Sequence, residues 1–455
     1  MMMKKQFMFL FAAAALLAAG ATSCSKDNAS DDGGGNVIPP GKESVAQLTV
    51  VDGRPATYAA GGATEPTVSN EANLAATLDI YIFNENGMFE KKVEGLSYDN
   101  STKKTGQFTV TSGQKYFYLM SNKPGAVVPP AGSTTTRAAF EKQVLDATFA
   151  GNNTSISPSG AGELFFIGTL WGAQTPVVGT GTTDSPEEVQ LEIGRVAAKV
   201  NLKSVVSAGS GNLSGAFDDA GMIYRLRSIP SKYYMVGKYA GTPPPFGTNV
   251  TSAVHDEDPV DGGGVNQNPI FTDYSWTGAN GKGISYYAIE NTSKRYQGSL
   301  RFGNTTFVQM KIKYTPDASE LYDAQTGQPN ASANPQGDFY VVSWKPVGAL
   351  DFGTFMFNGN PNQSALGGDF GTPVKHYEGG MNYYNFVIKD ESETGVEKQC
   401  MVLRNHYYEL DVTSISNLGE DTDIVDPLKP VEEDKDIVVT VKVLEWSKIS
   451  QNVEL

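Results

Sequence analysis

Apolar residues recur along this chain at every second position in short runs, the spacing of strands that bury one face. The last nineteen residues, Ile437 to Leu455, show it most fully. One face carries Ile437, Val439, Val441, Val443, Ile449, Val453 and Leu455, while the other sets Thr440, Lys442, Lys448 and Glu454 beside Val438, Leu444 and Trp446. Fully extended, this segment reaches roughly 60 Å, longer than an ordinary strand, so it predicts two strand lengths in series or a bent arm. The same alternation appears in Ser44–Val51 and in Ala76–Phe83, where Leu78, Ile80 and Ile82 share a face ahead of an Asn86-Gly87 hairpin signal. It recurs in Gln107–Val110, Lys115–Met120, Glu163–Trp171, Val189–Leu202, Met222–Arg227, Lys232–Val236, Ser285–Ile289, Thr306–Tyr314, Phe339–Trp344, Tyr383–Ile388 and His406–Val412. A helix is predicted only at Ala138–Thr148. Strands spaced in this way without intervening helices predict an all-β fold of antiparallel sandwiches.

The segments between the strands divide the chain. Lys4 and Lys5, an apolar run from Phe7 to Ala19 and the small residues Ala21-Thr22-Ser23 before Cys24 form an export signal with a lipobox-like end, so that residues 1–23 are removed and Cys24 is acylated. Residues 24–43 make a polar, Gly-rich tether. A Gly/Thr-rich break at Gly179–Ser185 predicts a boundary near residue 187 between an N-terminal domain, 44–187, and a C-terminal domain, 188–416. Residues 417–436 are acidic and contain proline, and like charges there predict an extended, solvated linker leading to the arm at 437–455.

Composition narrows the function. A net charge of −15 argues against nucleic acid as a partner. Past the signal no apolar run approaches the roughly 20 residues of a membrane helix. The two cysteines are Cys24 and Cys400, so an acylated Cys24 leaves no internal disulfide.

Candidate chemistry is sparse. His255, His376 and His406 have no metal-ligand spacing, and His255-Asp-Glu-Asp258 lacks the Asp ladder of a cation loop. No Gly-x-Ser-x-Gly elbow accompanies His406. The glycine clusters at 33–35, 61–62 and 262–264 lie in polar stretches rather than between strand and helix. The tyrosine pairs beginning at Tyr233, Tyr286, Tyr383 and Tyr407 predict one ring inside and one outside in each pair. Cys400 is a lone thiol. No catalytic set, cofactor or metal site emerges.

Several stretches in order along the chain resemble the fimbrillins, the fimbrial shaft subunits of Bacteroidetes. They are the lipobox, Asp79–Phe83, Tyr116–Asn122, Arg195–Val200, Phe307–Pro316, Leu403–Ile415 and Val439–Trp446. The most specific is Arg404-Asn-His-Tyr-Tyr408, followed by the acidic Pro tract and the final Val-x-Val-Leu-x-Trp strand. The resemblance implies two transthyretin-like antiparallel β-sandwich domains with a C-terminal donor-strand arm. It implies export as an outer-membrane lipoprotein, removal of the first strand (Val45–Val51) by a protease cutting after Arg54, and filling of the vacated groove by the arm of another copy. The donor residues are then Ile437, Val439, Val441, Val443, Leu444, Trp446, Ile449 and Val453. The implied partners are further copies head to tail, anchor and tip subunits, the protease, and the outer membrane before processing. The destination is a surface fimbrium supporting adhesion. Arg54 is followed by Pro55, a bond that trypsin-like proteases cleave poorly because proline lacks an amide N–H and constrains the backbone; Lys42 is the alternative site. An anchor or tip subunit, or a glycan-binding surface lipoprotein, remains an alternative reading. Before processing, the first strand is expected to fill its own groove and the arm to have no acceptor on its own chain.

Overall fold

The computed structural model describes residues 41–52, 74–122, 134–146, 166–169, 177–236, 271–291, 299–330, 337–391, 395–431 and 437–445, apart from positions 142, 278, 372 and 392–394. Among the described residues its α-helices are short, Arg137–Glu141, Gln363–Leu366 and Val396–Gln399, single 3-10 turns lie at Ala318–Glu320 and Glu378–Gly380, and the remainder is β-strand and loop. The first core lies inside a nine-stranded sheet. Its main strands are β1 (Glu43–Asp52), β2 (Thr77–Asn84), β3 (Phe89–Asp99), β4 (Lys104–Thr105), β5 (Phe108–Thr111), β6 (Gly113–Ser121), β7 (Phe166–Thr169) and β8 (Glu187–Arg195). Neighbours run β8-β7-β6-β2-β3-β4-β1, and β1 also pairs with β8, so the sheet closes on itself. Leu78, Ile80, Ile82, Phe117, Leu119, Leu191 and Ile193 fill the interior.

The second core is enclosed by two further sheets. One contains β11 (Tyr286–Ile289), β9 (Ala197–Val205), β16 (His406–Ile415) and β17 (Ile437–Glu445), in that order. The other is built on β12 (Phe307–Thr315) flanked by β10 (Ile223–Arg227) and β15 (Met381–Val387). Val200, Leu202, Leu410 and Val412 meet Val308, Met310, Ile312 and Phe386 between them. A smaller sheet around β13 (Phe339–Lys345) and β14 (Gly353–Phe357) packs Val342, Trp344 and Phe357 on Ala324.

Four sequence expectations need correction. The run Val189–Leu202 is not one strand. It breaks at Val196, with β8 pairing parallel to β1 in the first sheet and β9 pairing parallel to β16 in the second. The passage between cores therefore falls at Val196–Ala198 rather than near residue 187, because β8 supplies the edge that β1 needs. The predicted helix at 138–148 is a short helix, Arg137–Glu141, followed by a strand at Val144–Asp146 that pairs with Lys232–Tyr234. The sheets are mostly antiparallel, but these two parallel pairings carry β1 and β16. Finally, both rings are buried at Tyr286-Tyr287 and at Tyr407-Tyr408. Tyr287 and Tyr407 enter the first core while Tyr286 and Tyr408 enter the second, since the sheet of β11, β9 and β16 lies between the two. At Tyr383-Tyr384 the predicted alternation holds, with Tyr384 buried and Tyr383 partly exposed.

Polar groups are buried at the same junction. Asn405, at φ +61°, donates its N–H to the Ala197 carbonyl and accepts from the Arg195 N–H through Oδ1. Arg404 pairs with Glu290, both fully enclosed. The buried His406 ring lies with Nδ1 2.8 Å from the Arg404 carbonyl, which orients it as a donor there. Burial holds its pKa below the ordinary value, against the Arg404 carbonyl and the charge of Asp390, which favour the imidazolium. The folded protein thus binds this proton less readily than the unfolded chain, where histidine titrates near ~6.5. The contribution is complete above that pH and is lost as pH falls toward the folded-state value. Urea midpoints are expected to fall between pH 7.5 and 5, and His406→Gln should flatten that slope; an unchanged slope in the variant would refute the assignment.

Candidate functional site

The two chain segments that the sequence singles out occupy different positions in the fold. β1 is an interior strand of the closed sheet. It runs parallel to β8 from Ala46 opposite Glu187 to Asp52 opposite Ile193, and antiparallel to β5 from Glu43 opposite Thr111 to Ala46 opposite Phe108. With β4 it shares the single pair Thr49–Lys104. Period-two alternation turns Ser44, Ala46, Leu48 and Val50 inward, and all four are buried. Its backbone is also held by loops: Val45 N–H donates to the Gly181 carbonyl at 3.0 Å, Leu48 N–H to Thr105 Oγ1 at 3.0 Å and Val50 N–H to the Lys103 carbonyl at 2.8 Å. Gly181 returns a hydrogen bond to Ser44 Oγ, and a Cβ there would lie 2.2 Å from the Val45 carbonyl oxygen, so only glycine lets the loop approach the strand this closely.

Lys42 immediately precedes β1, and its N–H donates to Ser112 Oγ. A cut after Lys42 therefore leaves β1 in the fold, whereas a cut after Arg54, two positions beyond its end, takes β1 away. Cys24 and Arg54 lie outside the described residues, as do Trp446, Ile449 and Val453 of the arm and His255.

The arm does have an acceptor on its own chain, contrary to expectation. β17 pairs antiparallel with β16 from Ile437 opposite Ile415 to Glu445 opposite His406, forming the outer edge of its sheet. Ile437 is buried, and Val439 and Val441 pack part-buried against the second core. Val438 points outward, 56 % exposed, and Lys442 lies 3.6 Å from both Glu409 and Asp411. Val443 and Leu444 lie in the paired stretch. The reason is that β16 would otherwise present an open edge whose N–H and C=O groups need partners.

The acidic linker is likewise docked rather than solvated. Trp276 Nε1 donates to Asp423 Oδ2 at 2.8 Å, Arg225 pairs with the same carboxylate, and the Arg227 guanidinium donates to the Asp423 carbonyl. Glu420 exchanges backbone hydrogen bonds with Tyr383 and pairs with Lys375, and Asp421 accepts the His376 N–H. Farther along, Gly303 donates to Pro427, Phe302 to Lys429, and Val431 donates to Leu300. Opposite charges and open strand edges on the body overcome the self-repulsion that the sequence alone implied.

No cluster of metal-ligating side chains occurs among the described residues. Cys400 is buried, and burial pushes its thiol up to about 11, which leaves it protonated and unreactive at neutral pH.

Residues 375–452, which span β15, β16, the linker and β17, match the C-terminal region of the major fimbrial subunit protein type IV, fimbrillin. The match covers this C-terminal stretch of the chain. No curated protein matches it. Solved structures similar to this chain include a fimbrilin from Porphyromonas gingivalis W83, at 14% identity and a TM-score of 0.46, with 90% of this chain and 99% of that one covered. A putative cell adhesion protein from Parabacteroides distasonis ATCC 8503 aligns at 12% identity and a TM-score of 0.44 over 89% and 100%. The tip fimbrial protein Mfa3 from Porphyromonas gingivalis, with a C-terminal truncation, aligns at 12% and 0.40 over 89% and 100%.

Proposed function

We propose that this protein is a fimbrillin and a fimbrial shaft subunit, exported as a lipoprotein acylated at Cys24, freed of β1 by cleavage after Arg54, and polymerised when the C-terminal arm of a second copy takes the place of β1. The observation that carries the reading is the position of β1: it is the strand that closes the first sheet, and Arg54 follows it by two residues. Its loss opens two sheet edges and uncovers the pockets of Ala46, Leu48 and Val50. Such a state aggregates or accepts a replacement strand, with backbone hydrogen bonds supplying affinity and alternate side chains supplying specificity. The contact between one copy's arm and the next copy's slot is heterologous and need not close, so it yields an open filament.

The docked β17 adds a step: the arm leaves β16 before it donates. Among its described side chains one is buried and two are half-buried, against four buried in β1. Two of those four, Leu48 and Val50, are large aliphatics against Ile437 alone in β17, so at about 1.5–3 kcal/mol each the slot buries the apolar strand more fully. N-terminal sequencing of surface-assembled protein should read from Pro55, and a chain truncated after Asp436 should remain monomeric. Filaments built by the truncated chain, or assembled subunits that keep β1, would overturn the proposal.

A further inference from the structure

We infer that Glu90 and Lys115, with Lys91 beside them, hold β5 in place as a standing wall of the slot once β1 has gone. This rests on the reading above, in which β1 is removed and replaced. β5 stands to lose most by that step. Among the described residues its one strand neighbour is β1, which it meets from Glu43 opposite Thr111 to Ala46 opposite Phe108. Cleavage after Arg54 takes away all four pairs, together with the Lys42 carbonyl that accepts the Ser112 N–H. Phe108 and Val110 still belong to the first core, but apolar burial is non-directional and does not fix the strand along the sheet. A strand freed in this way would leave the slot with one edge missing.

The outer edge of β5 is held by side chains where a further strand would ordinarily lie. Successive amides of an antiparallel strand point to opposite sides. Ser112 turns its N–H to Lys42, on the side of β1, and Thr111 turns its own the other way, to Glu90 Oε1 at 2.9 Å. The Thr111 hydroxyl donates to the same oxygen at 2.7 Å and accepts from Lys115 Nζ at 2.6 Å, while Lys115 pairs with Glu90 Oε2 at 2.6 Å. Two residues back, Lys91 Nζ donates to the Thr109 carbonyl at 3.2 Å and to its hydroxyl at 2.6 Å. None of these partners departs with β1, since Glu90 and Lys91 belong to β3 and Lys115 to β6. Lys115 is buried and Glu90 half-buried. Burial works against the Glu90 carboxylate, yet Lys115 and Thr111 hold its pKa below the ordinary value. The pair is therefore ionised at neutral pH, and its hydrogen bonds are of the stronger, charge-assisted kind. A wall that stands without its neighbour spares an incoming strand the ordering of β5, which favours both affinity and association rate.

The test uses the full chain with a specific protease site inserted between Asp52 and Leu74. After nicking, the N-terminal piece is released in mild urea and removed, and a fluorescent peptide of sequence Ser44–Asp52 is the probe. In the emptied wild type the Thr111 amide should keep its slow hydrogen exchange, while the Val110 amide, which faced β1, becomes fast. The double variant Glu90→Leu/Lys115→Met removes both charges without stranding either. Its intact chain should keep Val110 as slow as in the wild type, because β1 still fastens β5 there. Its emptied chain should take up the peptide roughly tenfold more slowly, the equivalent of one buried hydrogen bond, and Lys91→Met should act in the same direction. If Thr111 in the emptied wild type exchanges as fast as in an unfolded chain while the peptide still binds, the clamp alone is overturned, and no variant needs to fold. Uptake by the double variant at the wild-type rate would overturn it equally. A peptide that never enters the emptied wild type would overturn the replaceable first strand, and the inference with it.

Discussion

Leu48→Ala should lower the unfolding free energy of the full chain by about 2–5 kcal/mol, the range for removing a fully enclosed leucine, as measured by urea denaturation. Leu48 has no exposed surface and lies on the strand that closes the first sheet, with partners on both edges, so the cavity has little freedom to collapse. The comparison at the other end of the chain sharpens the expectation. Val438→Ala, on the outward face of β17, should change stability by no more than about 0.5 kcal/mol. A Leu48→Ala loss near that of Val438→Ala would mean that β1 contributes little to the unprocessed fold, and that its removal could not drive anything.

Arg404→Met should cost about 3–5 kcal/mol, because Glu290 is left fully enclosed without its cation. The double variant Arg404→Met/Glu290→Met should recover most of that loss, since removing both charges also removes their desolvation. A denaturant double-mutant cycle reads the difference as a coupling energy. Additive losses would show that the two side chains act independently despite their contact.

Much of this architecture was legible in the sequence, and the failures share a cause. Strands such as Thr77–Asn84 and Phe307–Thr315 announce themselves because one or both faces bury apolar residues against a core. β3 escaped notice: its sequence, Phe89-Glu-Lys-Lys-Val-Glu-Gly-Leu-Ser-Tyr-Asp99, is half charged and bends at Gly95, φ +63°. Its pairing with β2 shifts register at that point, so no alternation persists long enough to read. Asp423 and Glu420 looked solvated because their partners, Arg225, Trp276 and Lys375, are 45 or more positions away in the chain. The closing role of β1 was equally invisible, since its partner strand begins at Glu187.

The docked linker also changes what the tract before the arm measures. Between Val431, tied to Leu300, and Ile437, the first residue of β17, only residues 432–436 intervene, a span of about 20 Å when drawn taut. In a filament of the proposed kind the acidic tract is therefore no leash of variable length. It is a ruler fixed to the body, and the pitch from one copy to the next is written in the surface that holds Asp423 rather than in the number of residues after Asn417.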